Sequence, residues 1–119
     1  MLPAHHRLRR PADFRRVMRG SSPRNGRRAG TPRIVVHRGP MDEAHGDRPA
    51  RVGFVVSSAV GHAVTRHRVT RQLRALMSAR IDRLPSGTDL VVRATPEAAN
   101  AGSAALSADL DRCLPRVCS

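Results

Sequence analysis

Arginine is the residue type in this chain whose number and spacing could define a function. Residues 61–83 hold six arginines against a single acid, Asp82. A guanidinium group binds phosphate through two parallel hydrogen bonds and can also stack on a nucleic acid base. No acid lies between Arg51 and Arg80, so ion pairs within that stretch cannot offset the repulsion between neighbouring arginines, whereas a phosphate backbone can. The stretch therefore predicts a polyanionic partner.

The other reactive residue types do not form a recognisable catalytic or metal-binding pattern. The sequence contains no P-loop, no GxGxxG and no GxSxG segment. His62 and His67 are five residues apart and so lie on different faces of a helix, unlike the i, i+4 histidines of a zinc-binding helix. One polar loop contains a group of possible metal ligands without helical spacing: Asp42, Glu43, His45 and Asp47. We interpret this segment as a solvated loop. We expect no catalytic residue and no metal ligand in the protein itself.

The distribution of charge supports a nucleic acid partner. The formal net charge is +13, and all 22 basic residues are arginine. Residues 1–40 hold eleven arginines against Asp13 alone, so the excess is concentrated there and in residues 61–83. Solubility alone would not require that concentration.

Length, aromatic content and cysteine spacing place the chain among small single domains. The 119 residues predict one domain whose core is aliphatic, because there are two Phe and neither Trp nor Tyr. Cys113 and Cys118 fit neither a metal pair nor a disulfide framework, which favours reduced thiols, no disulfide-linked partner and a cytoplasmic location. No apolar run approaches the roughly 18 residues that would span a membrane.

The elements around the basic stretch would present its arginines on one surface. The β-branched run at 51–57 predicts a strand, a small-residue turn follows at 57–61, and a helix is predicted over 63–83. At about 100° per residue, one helix face is apolar and packs on a sheet, with Val69, Leu73, Leu76 and Met77. The other face presents arginine to an anion.

The remaining pattern completes an α+β fold. A first helix over 12–19 has Phe14, Val17 and Met18 on one side; Phe14 could be a core residue or an aromatic platform for a base. Further strands are predicted over 32–38 and 89–94, a last helix over 102–115, and a flexible basic arm over 1–10. The order helix, strand, strand, helix, strand, helix predicts a two-layer α/β sandwich. Its small, mostly antiparallel sheet would have one hairpin and one helical crossover.

These residues together resemble the bacterial ribonuclease P protein family. Ser57, Gly61 and Ala63-Val64, followed by Arg66-His67-Arg68, are similar to the family signature called the RNR motif, and Arg71 and Arg74 continue its spacing. The segments LRRPADFRRVMR, PRIVVH, RVGFVV and DLVVRATP are similar to the first helix and the three strands of that family. Five family positions differ here. Ser58, Ala59, His67 and Thr70 replace Lys, Lys, Asn and Lys, and Met18 replaces the second aromatic residue of the first helix.

The resemblance implies a structure and a role. Family members have a left-handed βαβ crossover at the central helix, against the usual hand. They are the protein subunit of a ribonucleoprotein endonuclease that removes the 5′ leader from precursor tRNA, and the RNA subunit with Mg²⁺ performs the hydrolysis. The resemblance implies that five residues face the catalytic RNA: Arg66, His67, Arg68, Arg71 and Arg74. It also implies that Phe14 and Met18 line the cleft for the single-stranded leader.

Two other functions are compatible with a basic surface. A structural RNA-binding protein of the ribosome or of another ribonucleoprotein would have the same charge without a role in processing. A stand-alone nuclease would need a catalytic constellation, which the motif search does not find.

Overall fold

A computed structural model describes residues 2–22, 24–40 and 48–118 of the chain. The predicted α+β class is confirmed. Within these residues, 3₁₀ turns occur at Ala4–His6 before the first helix, and at Ile81–Arg83 and Pro96–Asn100 between longer elements. The helices and strands in chain order are α1 Pro11–Gly20, β1 Arg28–Gly30, β2 Ile34–Arg38, β3 Arg51–Val55, α2 Ala63–Ser78, β4 Asp89–Ala94 and α3 Gly102–Cys118.

The four strands form one mixed sheet in the order β1-β2-β4-β3. β1 pairs antiparallel with β2, and β2 pairs antiparallel with β4. β3 lies parallel to β4, and α2 makes the crossover between them. The hand of this crossover remains the prediction made from the family resemblance.

The hairpin differs from the one that the sequence order suggested. The successive strands β2 and β3 are not neighbours, because β4 lies between them. The antiparallel hairpin is formed instead by β1 and β2, where Arg28 pairs with His37. β1 was not among the predicted strands, because residues 21–31 form a polar, glycine-containing segment without a strand pattern.

The main core lies on the sheet face covered by α2 and α3. Val69, Leu73 and Met77 of α2 are fully buried there, as the helical periodicity predicted. Leu106 and Leu110 of α3 meet them, together with the inward residues of the strands, such as Val36 and Val92. The core contains no aromatic side chain with complete burial, so aliphatic packing fixes α2 against the sheet.

The opposite sheet face is covered by α1 through a much smaller apolar group. Val17 of α1 is fully buried against Val91 of β4 and Leu8. Phe14, Met18 and Val55 pack around these three residues and are each half-buried. Pro11 occupies the first turn of α1 and Gly20 is its last residue, so the helix is one residue longer at each end than the predicted 12–19.

The N-terminal segment is packed rather than a flexible arm. Leu2 is fully buried and Leu8 is 5% exposed. His6 Nδ1 lies 2.6 Å from the carbonyl oxygen of Ala50, and the amide of Leu8 donates to the carbonyl of Val52 at 3.0 Å. These apolar and backbone contacts extend the sheet beyond β3. They hold the segment in place even though its high charge suggested that it would be flexible.

Two helix boundaries also differ from prediction. α2 ends at Ser78, where the amide of Arg80 bonds to the carbonyl of Met77 and a 3₁₀ turn follows. α3 continues through Pro115 to Cys118, beyond the predicted end. The acidic loop with Asp42, Glu43, His45 and Asp47 lies outside the described residues. Among the helices described, none is long and apolar enough to cross a membrane.

Candidate RNA-binding surface

α2 presents all five predicted RNA-binding residues on the protein surface. Because its apolar face is buried in the core, the side chains on its other faces reach solvent. The exposed ones include all five predicted residues: Arg66, His67, Arg68, Arg71 and Arg74. The turn before α2 depends on Gly61. A Cβ atom there would lie 3.0 Å from Cβ of Thr65, so a glycine lets the turn approach the helix.

Two of the arginines are anchored to the backbone of neighbouring elements. Nε of Arg66 donates to the carbonyl of Val56 at 3.1 Å, next to the end of β3. Nη2 of Arg68 donates to the carbonyl of Ala99 at 2.6 Å, in the 3₁₀ turn that follows β4. The two guanidinium groups are thereby held on opposite sides of α2, and each retains N–H groups for an anion.

The other three predicted residues have side chains that are not anchored to the described part of the protein. The side chains of His67, Arg71 and Arg74 make no hydrogen bond or ion pair with the part of the chain that the structure describes. At about 100° per residue, Arg71 lies opposite the buried face of α2 and points outward. Arg71 and Arg74 are therefore the arginines whose charge is most available to a phosphate.

A groove of about 310 Å³ lies between α2, β3 and the segment that leads into α1. Arg7 and Arg9 line it from the N-terminal segment, and Arg74 lines it from α2. Phe14 and Phe54 line it too, and these are the two aromatic residues of the chain. The groove thus combines three guanidinium groups with both phenylalanine rings of the chain.

The ring of Phe14 lies directly over Gly53. An added Cβ at Gly53 would be 2.3 Å from Cζ of Phe14, so glycine is needed for the ring to pack there. Phe14 is half-buried and serves both the small apolar group and the groove wall. Met18, one turn further along α1, is half-buried in the same apolar group but does not line this groove, and its contact with a leader remains a prediction.

A smaller groove of about 140 Å³ adjoins the first. Arg66 and His67 line it together with Val56 and Ala63. Thr70 lines both grooves, and its hydroxyl donates to the carbonyl of Arg66 at 2.8 Å. One side of α2 and the ring of Phe14 therefore belong to one continuous surface.

A larger groove, of about 560 Å³, lies elsewhere, beside β1. Arg28, Arg93 and Arg116 line it with small and apolar residues. No aromatic side chain lines it, whereas the groove with Phe14 offers an aromatic ring on which a base can stack. We therefore place the candidate site at the groove that contains Phe14.

The sequence did not identify Arg7 and Arg9 as residues of the site. Both belong to the segment that was predicted to be flexible. The signal that could have found them is the apolar pair Leu2 and Leu8, whose burial holds the neighbouring residues, Arg7 and Arg9 among them, at the edge of the sheet. No group of three or more potential metal ligands occurs within residues 2–22, 24–40 and 48–118.

Comparison with known proteins gives a family for this chain. The family model described as Ribonuclease P matches residues 2–118. The ribonuclease P protein component of a Nocardioides species is 52% identical over 117 residues, covering 98% of this chain and 95% of that protein. The component from Streptomyces avermitilis is 49% identical, with the same coverage of 98% and 95%.

Solved structures have the same fold. The ribonuclease P protein of Staphylococcus aureus superposes with a TM-score of 0.77 at 22% identity, covering 92% of this chain and 93% of that one. The protein from Thermotoga maritima gives a TM-score of 0.74 at 22% identity, covering 92% and 96%. With the arginine-bearing helix on this fold and a family match across almost its whole length, the chain belongs to the ribonuclease P protein family.

Proposed function

We propose that this chain acts in the cytoplasm as the protein subunit that helps ribonuclease P remove the 5′ leader from precursor tRNA. The exposed arginines of α2 bind the RNA subunit, and the groove with Phe14 holds the single-stranded leader. The observation that carries this proposal is the groove itself. It places Arg74 of the acid-free helix beside both aromatic residues of the chain.

The groove suits one strand of RNA better than a duplex. Single-stranded nucleic acid binds where cationic groups follow the backbone and aromatic rings stack on bases. Arg7, Arg9 and Arg74 supply the cationic groups, and Phe14 supplies an aromatic ring that lines the groove. The arginines on the rest of α2 have no aromatic neighbour of this kind and are suited to the phosphates of a folded RNA.

We assign Mg²⁺ and phosphodiester hydrolysis to the RNA subunit. Several acids in the described residues do not fit a Mg²⁺ site on the protein, because Asp89, Asp109 and Asp111 each accept hydrogen bonds from arginine. The role of the protein is then to neutralise phosphates. A basic surface between two RNAs lowers their mutual repulsion, and it lets them associate when little Mg²⁺ is present.

Reconstitution tests the function directly. Purified protein, ribonuclease P RNA and a precursor tRNA are combined at low Mg²⁺, and release of the leader is measured. We expect the protein to restore cleavage that the RNA alone performs poorly under these conditions. Binding to the RNA without any gain in cleavage would refute the proposal and indicate a structural RNA-binding protein.

Arginine variants test the surface. Arg71→Ala should weaken binding to the RNA subunit and lower the salt slope by about one, the value for a single lost phosphate contact. Arg68→Ala should do the same but also removes the hydrogen bond to Ala99, so Arg71→Ala is the cleaner variant. Arg112→Ala, an exposed arginine of α3, is the control for an equal change in net charge. Equal salt slopes for wild type and both α2 variants would contradict the assignment.

A further inference from the structure

One buried carboxylate connects α1 to the sheet. The side chain of Asp89, the first residue of β4, is 1% exposed. Arg16 of α1 donates to it at 2.6 Å, Arg48 at 2.7 Å and 3.2 Å, and Arg51 of β3 twice at 3.0 Å. Three guanidinium groups from three parts of the chain therefore converge on one carboxylate.

A second acid joins this group from α1. Asp13 lies 3.7 Å from Arg51 and 3.8 Å from Arg16. We call Asp13, Arg16, Arg48, Arg51 and Asp89 the Asp89 cluster. Burial alone would raise the pKa of Asp89, but hydrogen bonds from Arg51 and Arg48, together with their charges, lower the pKa to about 2. The carboxylate is thus ionised at neutral pH.

The apolar group that attaches α1 to the sheet is small compared with the main core under α2 and α3. Val17 is its one fully buried side chain, and the group around it contains two further buried residues, Leu8 and Val91. An ion pair network at a buried position is costly to break, because the remaining charges lose their partners. The position of α1 on the sheet therefore depends on the Asp89 cluster as well as on Val17.

α1 also determines where Phe14 lies. Phe14 follows Asp13 directly in the chain, and its ring lies over Gly53, two residues after Arg51. A shift of α1 away from Arg51 would move the ring off Gly53. It would also move the ring out of the groove that it shares with Arg74.

We infer that Asp89 is a positioning residue for leader binding, which through Arg16 and Arg51 holds α1 where Phe14 faces the leader. Asp89 itself does not touch the RNA. The inference rests on the proposed function, because it assumes that the groove with Phe14 binds the leader.

The test compares two buried carboxylates in the assembled holoenzyme. Asp89→Asn weakens the cluster, and Asp109→Asn is the matched control. Asp109 is 4% exposed and is held by Arg33 on the α3 side of the sheet, at 2.6 Å and 3.1 Å. The readout is the affinity for precursor tRNA divided by the affinity for the same tRNA without a leader. Affinity for the RNA subunit and hydrogen exchange of the α1 amides are measured alongside.

We expect Asp89→Asn to lower this leader ratio by at least about fivefold, the low end of one base–aromatic contact. Exchange in α1 should accelerate, while affinity for the RNA subunit stays within about twofold, since α2 is anchored in the other core. Asp109→Asn should leave the leader ratio unchanged. If Asp89→Asn does not fold, a milder pair replaces it: Arg16→Gln against the exposed Arg15→Gln. Arg16→Gln removes one hydrogen bond to Asp89 and leaves those from Arg48 and Arg51.

Phe14→Ala distinguishes leader binding by the groove from the positioning role of Asp89. If Phe14→Ala does not lower the leader ratio, the leader assignment is wrong and the inference falls with it. If Phe14→Ala lowers the ratio but Asp89→Asn and Arg16→Gln do not, the proposed function stands and the positioning role is refuted. An equal loss from Asp109→Asn would likewise overturn the inference, because the effect would then be one of general stability.

Discussion

Gly53→Ala should displace the ring of Phe14. The added methyl group would lie 2.3 Å from Cζ of Phe14, 2.5 Å from its Cε1 and 3.2 Å from Cβ of Leu8. Carbon atoms in contact are about 3.5–4.0 Å apart, so the ring must move by about 1 Å or more. Phe14 is half-buried beside an open groove, so we expect the ring to rotate toward solvent while β3 keeps its place in the sheet.

The size of the effect follows from that geometry. Overpacking costs about 1–3 kcal/mol, and a ring that can rotate outward should cost about 1–2 kcal/mol of unfolding free energy. Replacing glycine returns about 0.4–1 kcal/mol by restricting the unfolded chain, so the net loss should be about 1 kcal/mol. Affinity for the leader should fall by about 5- to 150-fold, the equivalent of one lost base–aromatic contact.

A double-mutant cycle isolates the contact. Gly53→Ala, Phe14→Ala and the double variant are compared with wild type by urea unfolding and by leader affinity in the holoenzyme. In the Phe14→Ala background the added methyl group meets no ring, so Gly53→Ala should have little further effect and the coupling should be at least about 1 kcal/mol. Gly30→Ala is the control in β1, where an added Cβ would be 3.4 Å from its nearest neighbours, an ordinary contact.

Additive effects would refute this reasoning. If Gly53→Ala costs as much with alanine at position 14 as with phenylalanine, the ring is not what the methyl group displaces. If the stability changes couple but leader affinity is unaffected by Gly53→Ala, the contact exists but the ring does not bind the leader.

Two further predictions concern stability. Burial, then the charges of Arg93 and Arg28, lowers the pKa of His37 from 6.5 to about 4. Between pH 4 and 6.5 the unfolded chain therefore binds a proton at His37 that the folded chain does not. The folded state loses about 3 kcal/mol of stability as the pH falls from 6.5 to 4. Urea unfolding at several pH values should show this slope flattened in His37→Gln and kept in the exposed control His62→Gln; an unchanged slope in His37→Gln would contradict the cause. Leu73→Ala should cost about 2–5 kcal/mol because Leu73 is fully buried, whereas Val64→Ala, 80% exposed, should stay within about 0.5 kcal/mol; equal midpoints in urea for these two variants would contradict the packing of α2.

Local patterns were sufficient for most of the fold. The periodicity of Val69, Leu73 and Met77 placed α2 correctly on its buried face, and the β-branched runs placed β2, β3 and β4. β1 was missed because Arg28–Gly30 lies in a polar, glycine-containing segment whose strand conformation comes from pairing with β2. The position of β4 between β2 and β3 likewise depends on pairing over long sequence separations, which no local pattern encodes.

The candidate site was predictable in its helical part only. Helical spacing gave Arg68, Arg71 and Arg74 as exposed, and the family resemblance added Arg66. Neither could show that Arg66 and Arg68 are anchored to Val56 and Ala99 on opposite sides of the helix. The groove depends on Arg7 and Arg9, which the burial of neighbouring residues brings to the sheet edge. Tertiary packing therefore determined which residues share the site, while local sequence determined which residues could bind an anion.

The place of β4 in the sheet has a consequence for synthesis of the chain on the ribosome. β4 pairs with both β2 and β3, yet it is the last of the four strands to be translated. At about 5–20 residues per second, the arginines of α2 emerge seconds before the strand that completes the sheet beneath them. During that interval the helix has no sheet to pack on, so its positive charge is accessible to the ribosomal RNA around it. We expect the nascent chain to remain unfolded and RNA-associated until Ala94 has left the exit tunnel.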